Sequence, residues 1–176
     1  KDNKCIVLNR GEFFNIETGE QSKEYEHYSY REKEKYINNV LSKVKFDYEN
    51  EPLPNNLVDV CIDISSIIED CYKRMERHRN RLKYSTDTDV YVKIDNQNYI
   101  FISMNGRGCS IIGKKSIEKS EKYFIMEMDV RLLLRVLNGP RYAHWDNADT
   151  GSHIFYVKKP NIHEKGIYHT ICFFHR

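Results

Sequence analysis

Residues 57–95 read LVDVCIDISSIIEDCYKRMERHRNRLKYSTDTDVYVKID, and the period of the apolar residues changes along this stretch. In its first part, apolar residues recur every three or four positions: Leu57, Cys61, Ile64, Ile68, Cys71 and Met75. This spacing predicts an amphipathic helix over residues 55–81 with one buried stripe. Beyond Asp87, apolar and polar residues alternate, which is the pattern of half-buried strands.

Three short strand-like runs follow the change of period, DVYVKID, NYIFISM and GCSIIG. Polar turn residues at 95–97 and 105–108 separate them, so the runs predict an antiparallel meander. The loop MNGRGCS has two glycines beside an arginine, but it lacks the spacing of a phosphate-binding loop and is interpreted as a hairpin turn. EKYFIMEM predicts a further strand, and two more are expected at about 153–158 and 167–174.

A short helix is predicted over 129–138, inside the series of strands. Asp129 is placed to cap its N-terminus and Gly139 to end it. Helices followed by a sheet with one inserted helix indicate the α+β class. We expect an antiparallel sheet of five or six strands, packed against one long amphipathic helix and shorter helices.

The stretch ENEPLPNN contains two prolines and three asparagines and is the clearest break in the pattern. We place a boundary there. Residues 1–51 are predicted to form a strand (4–8), a polar loop and an exposed helix (about 29–44). Residues 52–176 are predicted to form the α+β domain.

Composition excludes several classes of protein. The net charge is +2, from 28 basic and 26 acidic residues, so there is no global basic excess to predict nucleic-acid binding. No apolar run is long enough to span a bilayer, and the N-terminus lacks the features of a secretory signal. The five cysteines are widely spaced without a C-x-x-C pair, which favours a reducing cytoplasm. The chain begins with Lys1 rather than an initiator methionine, so the alternatives are a mature product or a fragment with residues missing upstream.

One local run, KRMERHRNRLK from Lys73 to Lys83, is strongly basic. We interpret it as a solvated helix end, because cations are favoured at the negative end of the helix dipole. The alternative is a surface that contacts phosphates or an acidic partner.

The late part of the chain carries the candidate ligand-binding or interface residues, namely His144, Trp145, Asp146, Asp149, His153, His163 and His169. A histidine close to a carboxylate can serve acid–base chemistry, and clustered imidazoles can bind a metal. The close-spaced metal motifs such as H-E-x-x-H are absent. We therefore favour a turn, in which Asp and Asn bond their own backbone, Gly151 has a positive φ and Trp145 closes the end of the core.

Two patterns carry a resemblance to a known family. They are D-x-R-x-L-x-x-x-L-x-G, from Asp129 to Gly139, and H-W-x-N-A-x-x-G-S-H, from His144 to His153. Together with an aromatic C-terminal run, they resemble the C-terminal region of bacterial metallo-β-lactamase-fold proteins of the lactonase-like, metal-dependent hydrolase branch. The stretch IVLNRGEFF is similar to the last strand of such a catalytic domain. The outline of residues 89–139 is also similar to sterol-carrier-protein-like domains, in which a sheet and helices surround an apolar tunnel.

The resemblance implies a role without a metal centre of its own. The zinc-binding H-x-H-x-D-H motif of that superfamily is absent from this chain. It would lie upstream, in a catalytic domain that holds zinc or another divalent metal. The resemblance thus implies that the chain's partner is a catalytic domain or another protein, with a small-molecule or sugar-derived substrate, and the block at 144–153 would face them.

Three functional hypotheses follow. The first, which we favour, is an accessory, substrate-covering or partner-binding C-terminal domain that is not catalytic alone. The second is a free-standing module for an apolar or lipid ligand, with a tunnel between the sheet and the Leu57–Met75 face. The third is a small metal-dependent enzyme, which requires His144, Asp146 and His153 to converge with His163 or His169.

Overall fold

The computed structural model describes residues 13–21, 29–117 and 120–176. Contacts divide the chain into two compact units, one ending at Phe46 and the other running from Asp47 to Arg176. The strand predicted at 4–8, with most of the IVLNRGEFF stretch, lies outside the described residues, as does part of the predicted polar loop. The boundary predicted after residue 51 stays a prediction.

In the first unit, the predicted exposed helix is present but shorter than expected. Helix α1 spans Tyr30–Asn39, and a 3-10 turn follows at Leu41–Lys43. Ser29 caps α1: its hydroxyl accepts from the Glu32 N–H at 3.3 Å, and the Glu32 carboxylate accepts from the Ser29 N–H at 2.8 Å. This reciprocal pair fixes the start of the helix.

The second unit contains the sheet and most of the helices. Its elements are a 3-10 turn (Asp47–Asn50), α2 (Leu57–Leu82), β1 (Asp89–Lys93), β2 (Asn98–Ile102), β3 (Cys109–Gly113), α3 (Lys114–Ile117), β4 (Tyr123–Glu127), α4 (Val130–Leu137), α5 (Trp145–Thr150), β5 (Phe155–Lys159) and α6 (Lys165–Ile171). None of the helices in the described part of the chain has the length and apolar character that a membrane crossing requires. The α+β class is confirmed.

The long helix begins and ends close to the predicted positions. The Asn56 side chain caps it by accepting from the Val58 N–H at 3.0 Å. It ends at Leu82, where Lys83 turns into the left-handed region with φ 52°. Along its buried stripe, Ile64 and Met75 have no exposed surface.

The five strands form one sheet in the order β3-β2-β1-β4-β5. All neighbours are antiparallel except β1 and β4, which are parallel, so the expectation of a fully antiparallel sheet is wrong at this one pairing. After the meander β1-β2-β3, the chain passes through α3 and adds β4 to the free side of β1. β4 begins at the end of the sheet where β1 begins, so the two strands run in the same direction.

The alternation predicted from the sequence places side chains on both faces of the sheet. One face packs with α2 and α4 in the main core, to which β1 contributes Val90 and Val92. The other face carries a smaller cluster, in which Tyr91 and Tyr99 are 3% and 5% exposed beside Ile117. The period of two thus holds strand by strand.

The apolar tunnel expected between the sheet and the Leu57–Met75 face is replaced by packed core. Ile64, Cys71 and Met75 on α2, and Val92 and Ile100 on the sheet, all have 0% exposure and belong to one cluster. Close packing of this kind leaves no room for a ligand between these side chains.

The strand predicted at 167–174 is wrong, because most of this stretch forms helix α6. The stretch 167–174 buries residues that are spaced three, one and three apart, namely Ile167, Thr170, Ile171 and Phe174. That spacing is helical, although the β-branched and aromatic residues favoured a strand.

The MNGRGCS loop is a hairpin turn, as predicted. Gly106 and Gly108 adopt φ of 89° and 99°, a region that side chains disfavour. The Ser103 hydroxyl accepts from the Arg107 N–H at 2.9 Å, and the Tyr72 hydroxyl accepts from the Gly108 N–H at 3.2 Å. These backbone donors are therefore used within the fold.

Candidate functional site

The short helix α5, Trp145–Thr150, forms where a turn was expected. The His144 side chain caps it, with Nδ1 accepting from the Asp146 N–H at 3.2 Å. Gly151 has a φ of −75° rather than a positive one, and Ser152 takes the left-handed conformation with φ 58°. Asp146 near the N-terminus also suits the positive end of the helix dipole, so helix and cap support each other.

Trp145 has the structural role that the sequence predicted. Its indole is 2% exposed and belongs to the main core. The indole N–H donates to the Phe174 carbonyl at 2.9 Å. The side chain therefore joins α5 to the C-terminal segment while burying a large apolar surface.

The predicted histidines do not converge on one centre. His153 Nδ1 lies 3.1 Å from the Tyr48 hydroxyl, while the His163 ring stacks on Tyr168 at 4.6 Å. His144 caps α5. Across residues 13–21, 29–117 and 120–176, there is no group of three or more His, Cys, Asp or Glu side chains arranged to hold a metal ion. The arrangement that the third hypothesis requires is thus missing from this part of the chain.

Other predicted residues do meet, around an opening between the β4–β5 edge and helices α5 and α6. We call this opening the aromatic cleft. Its first part, about 200 Å³, is lined by Met126, Trp145, Asp146, Asp149, Ile154, Tyr156, Tyr168, His169, Ile171 and Cys172. A second part of about 270 Å³ shares Asp146, His169 and Cys172, and adds His78, Leu82 and Phe173. The two parts adjoin along these shared residues.

Aromatic contacts build one wall of the cleft. The Tyr156 and Tyr168 rings lie 5.3 and 5.2 Å from the buried Phe124 and 5.5 Å from each other, in tilted and edge-on arrangements. His163 covers the outer side of Tyr168. Interlocked rings of this kind hold an apolar wall in one shape.

Two polar side chains face the acidic residues of the cleft. Tyr156 donates its hydroxyl to Asp149 at 2.5 Å, and the Cys172 thiol donates to Asp146 at 2.6 Å. Burial, and then the hydrogen bond to Asp149, raises the pKa of Tyr156. Burial and the bond to Asp146 raise the pKa of Cys172 in the same way. Both groups therefore stay protonated near neutral pH, and neither is an activated nucleophile.

A second depression, which we call the arginine groove, adjoins the cleft. Its first part, about 230 Å³, is lined by Arg74, Arg77, His78, Arg81 and Phe173. Arg74 and Arg77 also line a wider depression of about 760 Å³, whose other lining residues are Asp70, Tyr72, Lys73, Glu76, His175 and Arg176. His78 and Phe173 line both the groove and the cleft, so the two adjoin along this pair.

The basic run from Lys73 to Lys83 predicts a solvated helix end, with a surface for phosphates or an acidic partner as the alternative. The signal for a groove was the spacing of Arg74, Arg77 and Arg81, which places them along one side of a helix. The aromatic residue that completes the groove, Phe173, lies far away in sequence. Only the packing of the C-terminal segment against α2 brings it there.

The chain matches no protein-family model, and no curated protein matches it either. Among solved structures it is similar to one described as "UbiJ-SCP2 Ubiquinone synthesis protein", with a TM-score of 0.41 and 10% sequence identity. The alignment covers 70% of this chain and 93% of that chain. The metallo-β-lactamase part of the resemblance stays a prediction.

Proposed function

We propose that this chain is a binding module for a small apolar or lipid-like molecule, and that the aromatic cleft holds the ligand. The observation that carries the proposal is the cleft itself, in which aromatic and aliphatic side chains from the sheet, α5 and α6 surround an opening. Ligand sites typically combine such apolar walls with a few polar groups. Here the acidic residues and His169 supply the polar groups.

The size of the cleft supports a small ligand. Its two parts, about 200 and 270 Å³, each lie just below the range of roughly 300–1,000 Å³ that is usual for drug-sized ligands. The second part reaches Leu82, which is 48% exposed, so the cleft opens to the surface along an apolar edge. This position differs from the tunnel expected along α2.

The Cys172 thiol and the Tyr156 phenol stay protonated and donate to Asp146 and Asp149, so neither serves as a nucleophile. This favours binding over catalysis in the cleft. An accessory role beside a catalytic domain is compatible with this proposal, because a module that holds a ligand can present it to a partner. In that arrangement, zinc or another divalent metal would belong to the partner domain. This part rests on the sequence resemblance alone.

Trp145 provides a direct test, because it lines the cleft and is the single tryptophan of the chain. A neutral brominated alkanol that enters the cleft should quench its fluorescence in a saturable manner. Leu82→Glu places a charge at the mouth of the cleft and should weaken binding by about tenfold or more, since roughly 1.4 kcal/mol is tenfold.

The matched control is Ile62→Glu, which alters a residue of the same helix that is 61% exposed and does not line the cleft. This variant should bind the alkanol as the unmodified chain does. Quenching that does not saturate, or that changes equally in both variants, would contradict the proposal. Circular dichroism of each variant checks that the fold is intact.

A further inference from the structure

The three arginines of the groove are positioned to bind an anion. Arg74, Arg77 and Arg81 are exposed and line one depression. Within the described ranges, none of the three forms a hydrogen bond or an ion pair. Three guanidinium groups, each with free donors, thus lie along about two turns of one helix.

The helix dipole does not account for all of them. Its attraction for cations falls off within the last turn, which holds Arg79 and Arg81. Arg79 already has hydrogen-bond partners within the protein, because it donates to Glu76 at 2.6 Å and to the Tyr84 carbonyl at 2.6 Å. Arg74 and Arg77 precede the last turn.

Nearby acids are already paired with other cations. Lys73 binds Glu69 at 2.9 Å and lies 3.7 Å from Asp70. Glu76 holds Arg79, and this bond lowers the pKa of the Glu76 carboxyl. The charges of the three groove arginines are therefore left available to a ligand.

The groove also has a flat aromatic border. The His78 ring stacks on Phe173, with centroids 3.5 Å apart and planes 15° from parallel. Burial, with Arg81 and His169 nearby, lowers the pKa of His78. The imidazole is thus mainly neutral at pH 7, and the positive charge of this part of the groove comes from the arginines.

We infer that the arginine groove binds the phosphate group of the cleft's ligand, so that the ligand is a small amphipathic phosphate ester. This inference rests on the proposed function, since the cleft would hold the apolar part. Arginine suits phosphate because its planar fork of donors matches the phosphate oxygens. The stacked His78–Phe173 pair is the point at which the two parts of the ligand would join.

A small molecule fits better than nucleic acid. The chain carries a net charge of only +2, and Asp70 and Glu76 line the wide part of the groove. A long polyanion would extend over these acids, whereas a single phosphate fits in the narrow part, which only the three arginines, His78 and Phe173 line. Nucleic-acid-binding surfaces usually extend a basic patch over a larger area.

The test compares the brominated alkanol with its own phosphate ester, using the quenching of Trp145 for both. The ester should bind at least about tenfold more tightly than the alkanol at low salt, as a few charge-assisted hydrogen bonds would give. The triple variant Arg74→Gln, Arg77→Gln, Arg81→Gln should lose this advantage and bind the alkanol unchanged. The charge-matched control is Lys114→Gln, Lys115→Gln, Arg141→Gln, all exposed and outside the groove; it should keep the advantage.

An ester advantage that survives in the triple variant, or that both triple variants lose equally, would overturn the inference and leave the proposed function standing. Arginine-dependent binding of the ester without any binding of the alkanol would support the groove and refute the cleft. Flotation with phosphatidylcholine vesicles, with and without phosphatidic acid, separates the sources of phosphate. Vesicle binding for which the free ester does not compete would overturn the assignment to a small molecule.

Discussion

Gly151 illustrates how the role of one residue depends on its neighbours. The sequence suggested that this glycine permits a positive φ, yet its φ is −75°. Glycine is needed here for a steric reason. A Cβ at this position would lie 2.6 Å from the His153 ring and 3.0 Å from the Asn147 carbonyl. His153 is itself held by Tyr48, through the 3.1 Å hydrogen bond and an edge-on ring contact.

Gly151→Ala should therefore destabilise the protein, by roughly 1–3 kcal/mol, because an added methyl group in a packed site forces its neighbours to shift. Chemical denaturation in urea measures the change in the free energy of unfolding. Gly113→Ala is the matched control: its Cβ would meet a neighbouring atom only at 3.9 Å, and its φ is not positive. If the two variants are equally stable, close packing is not the reason for glycine at 151.

At the scale of elements, helix α4 shows capping and ion pairing acting together. The Asp129 carboxylate accepts from the Arg131 N–H at 2.9 Å and from its guanidinium at 2.7 Å. Arg131 also donates to the carbonyls of Glu49 and Glu51, which lie before α2. The capping carboxylate thereby positions the Arg131 side chain, which in turn holds the segment that contains Glu49 and Glu51. The sequence predicted the cap but not this second contact.

The hydrogen bonds from Arg131 lower the pKa of Asp129 below its ordinary value of 3.8. A carboxyl whose pKa is lower in the folded state stabilises the fold above the unfolded-state pKa, and this contribution is lost as pH falls through the folded-state pKa. Asp129→Asn keeps a good capping residue but removes the charge. The variant should be less stable than the unmodified chain at pH 7, and the difference should shrink at a pH below 3.8.

Urea denaturation at the two pH values measures this difference. The control is Asp63→Asn, which removes an exposed carboxylate from α2 and should change stability little at either pH. A deficit of Asp129→Asn that is the same at both pH values would assign the effect to the shape of the cap instead of its charge.

At the scale of the whole molecule, the core belongs to the second unit. The buried residues of the main cluster run from Val60 to Phe174, with Tyr48 packed against them. Arg135 pairs with Glu51 at 2.7 Å, and Arg131 reaches the carbonyls of Glu49 and Glu51. The segment 47–51 is thus tied to the α+β core, although the sequence pattern places it before the predicted boundary.

A chain that begins at Asp47 should therefore fold alone and unfold cooperatively, with the helix content expected for the second unit. A chain that begins at residue 52 should be less stable by roughly 1–3 kcal/mol, because it loses the Tyr48 packing and the partners of Arg131 and Arg135. Circular dichroism and urea denaturation compare the two. Equal stability would favour the boundary predicted after 51.

The sequence by itself determined the local elements of this protein. Periods of 3.6 and 2 predicted α2 and strands β1 to β5, and residue types at helix ends predicted the cap at Asp129 and the end of α4 near Gly139. Trp145 was recognised as a core residue from its setting. These features can be predicted from the sequence because they depend on residues within about two turns of one another.

Tertiary structure alone decided the rest. The parallel pairing of β4 with β1 depends on where the chain re-enters the sheet, and α6 forms because its buried stripe meets the core, overriding a strand-like composition. The arginine groove needs Phe173 to pack on His78, 95 positions earlier in the chain. Contacts of this kind are not encoded in local period or propensity, because packing across the whole core determines them.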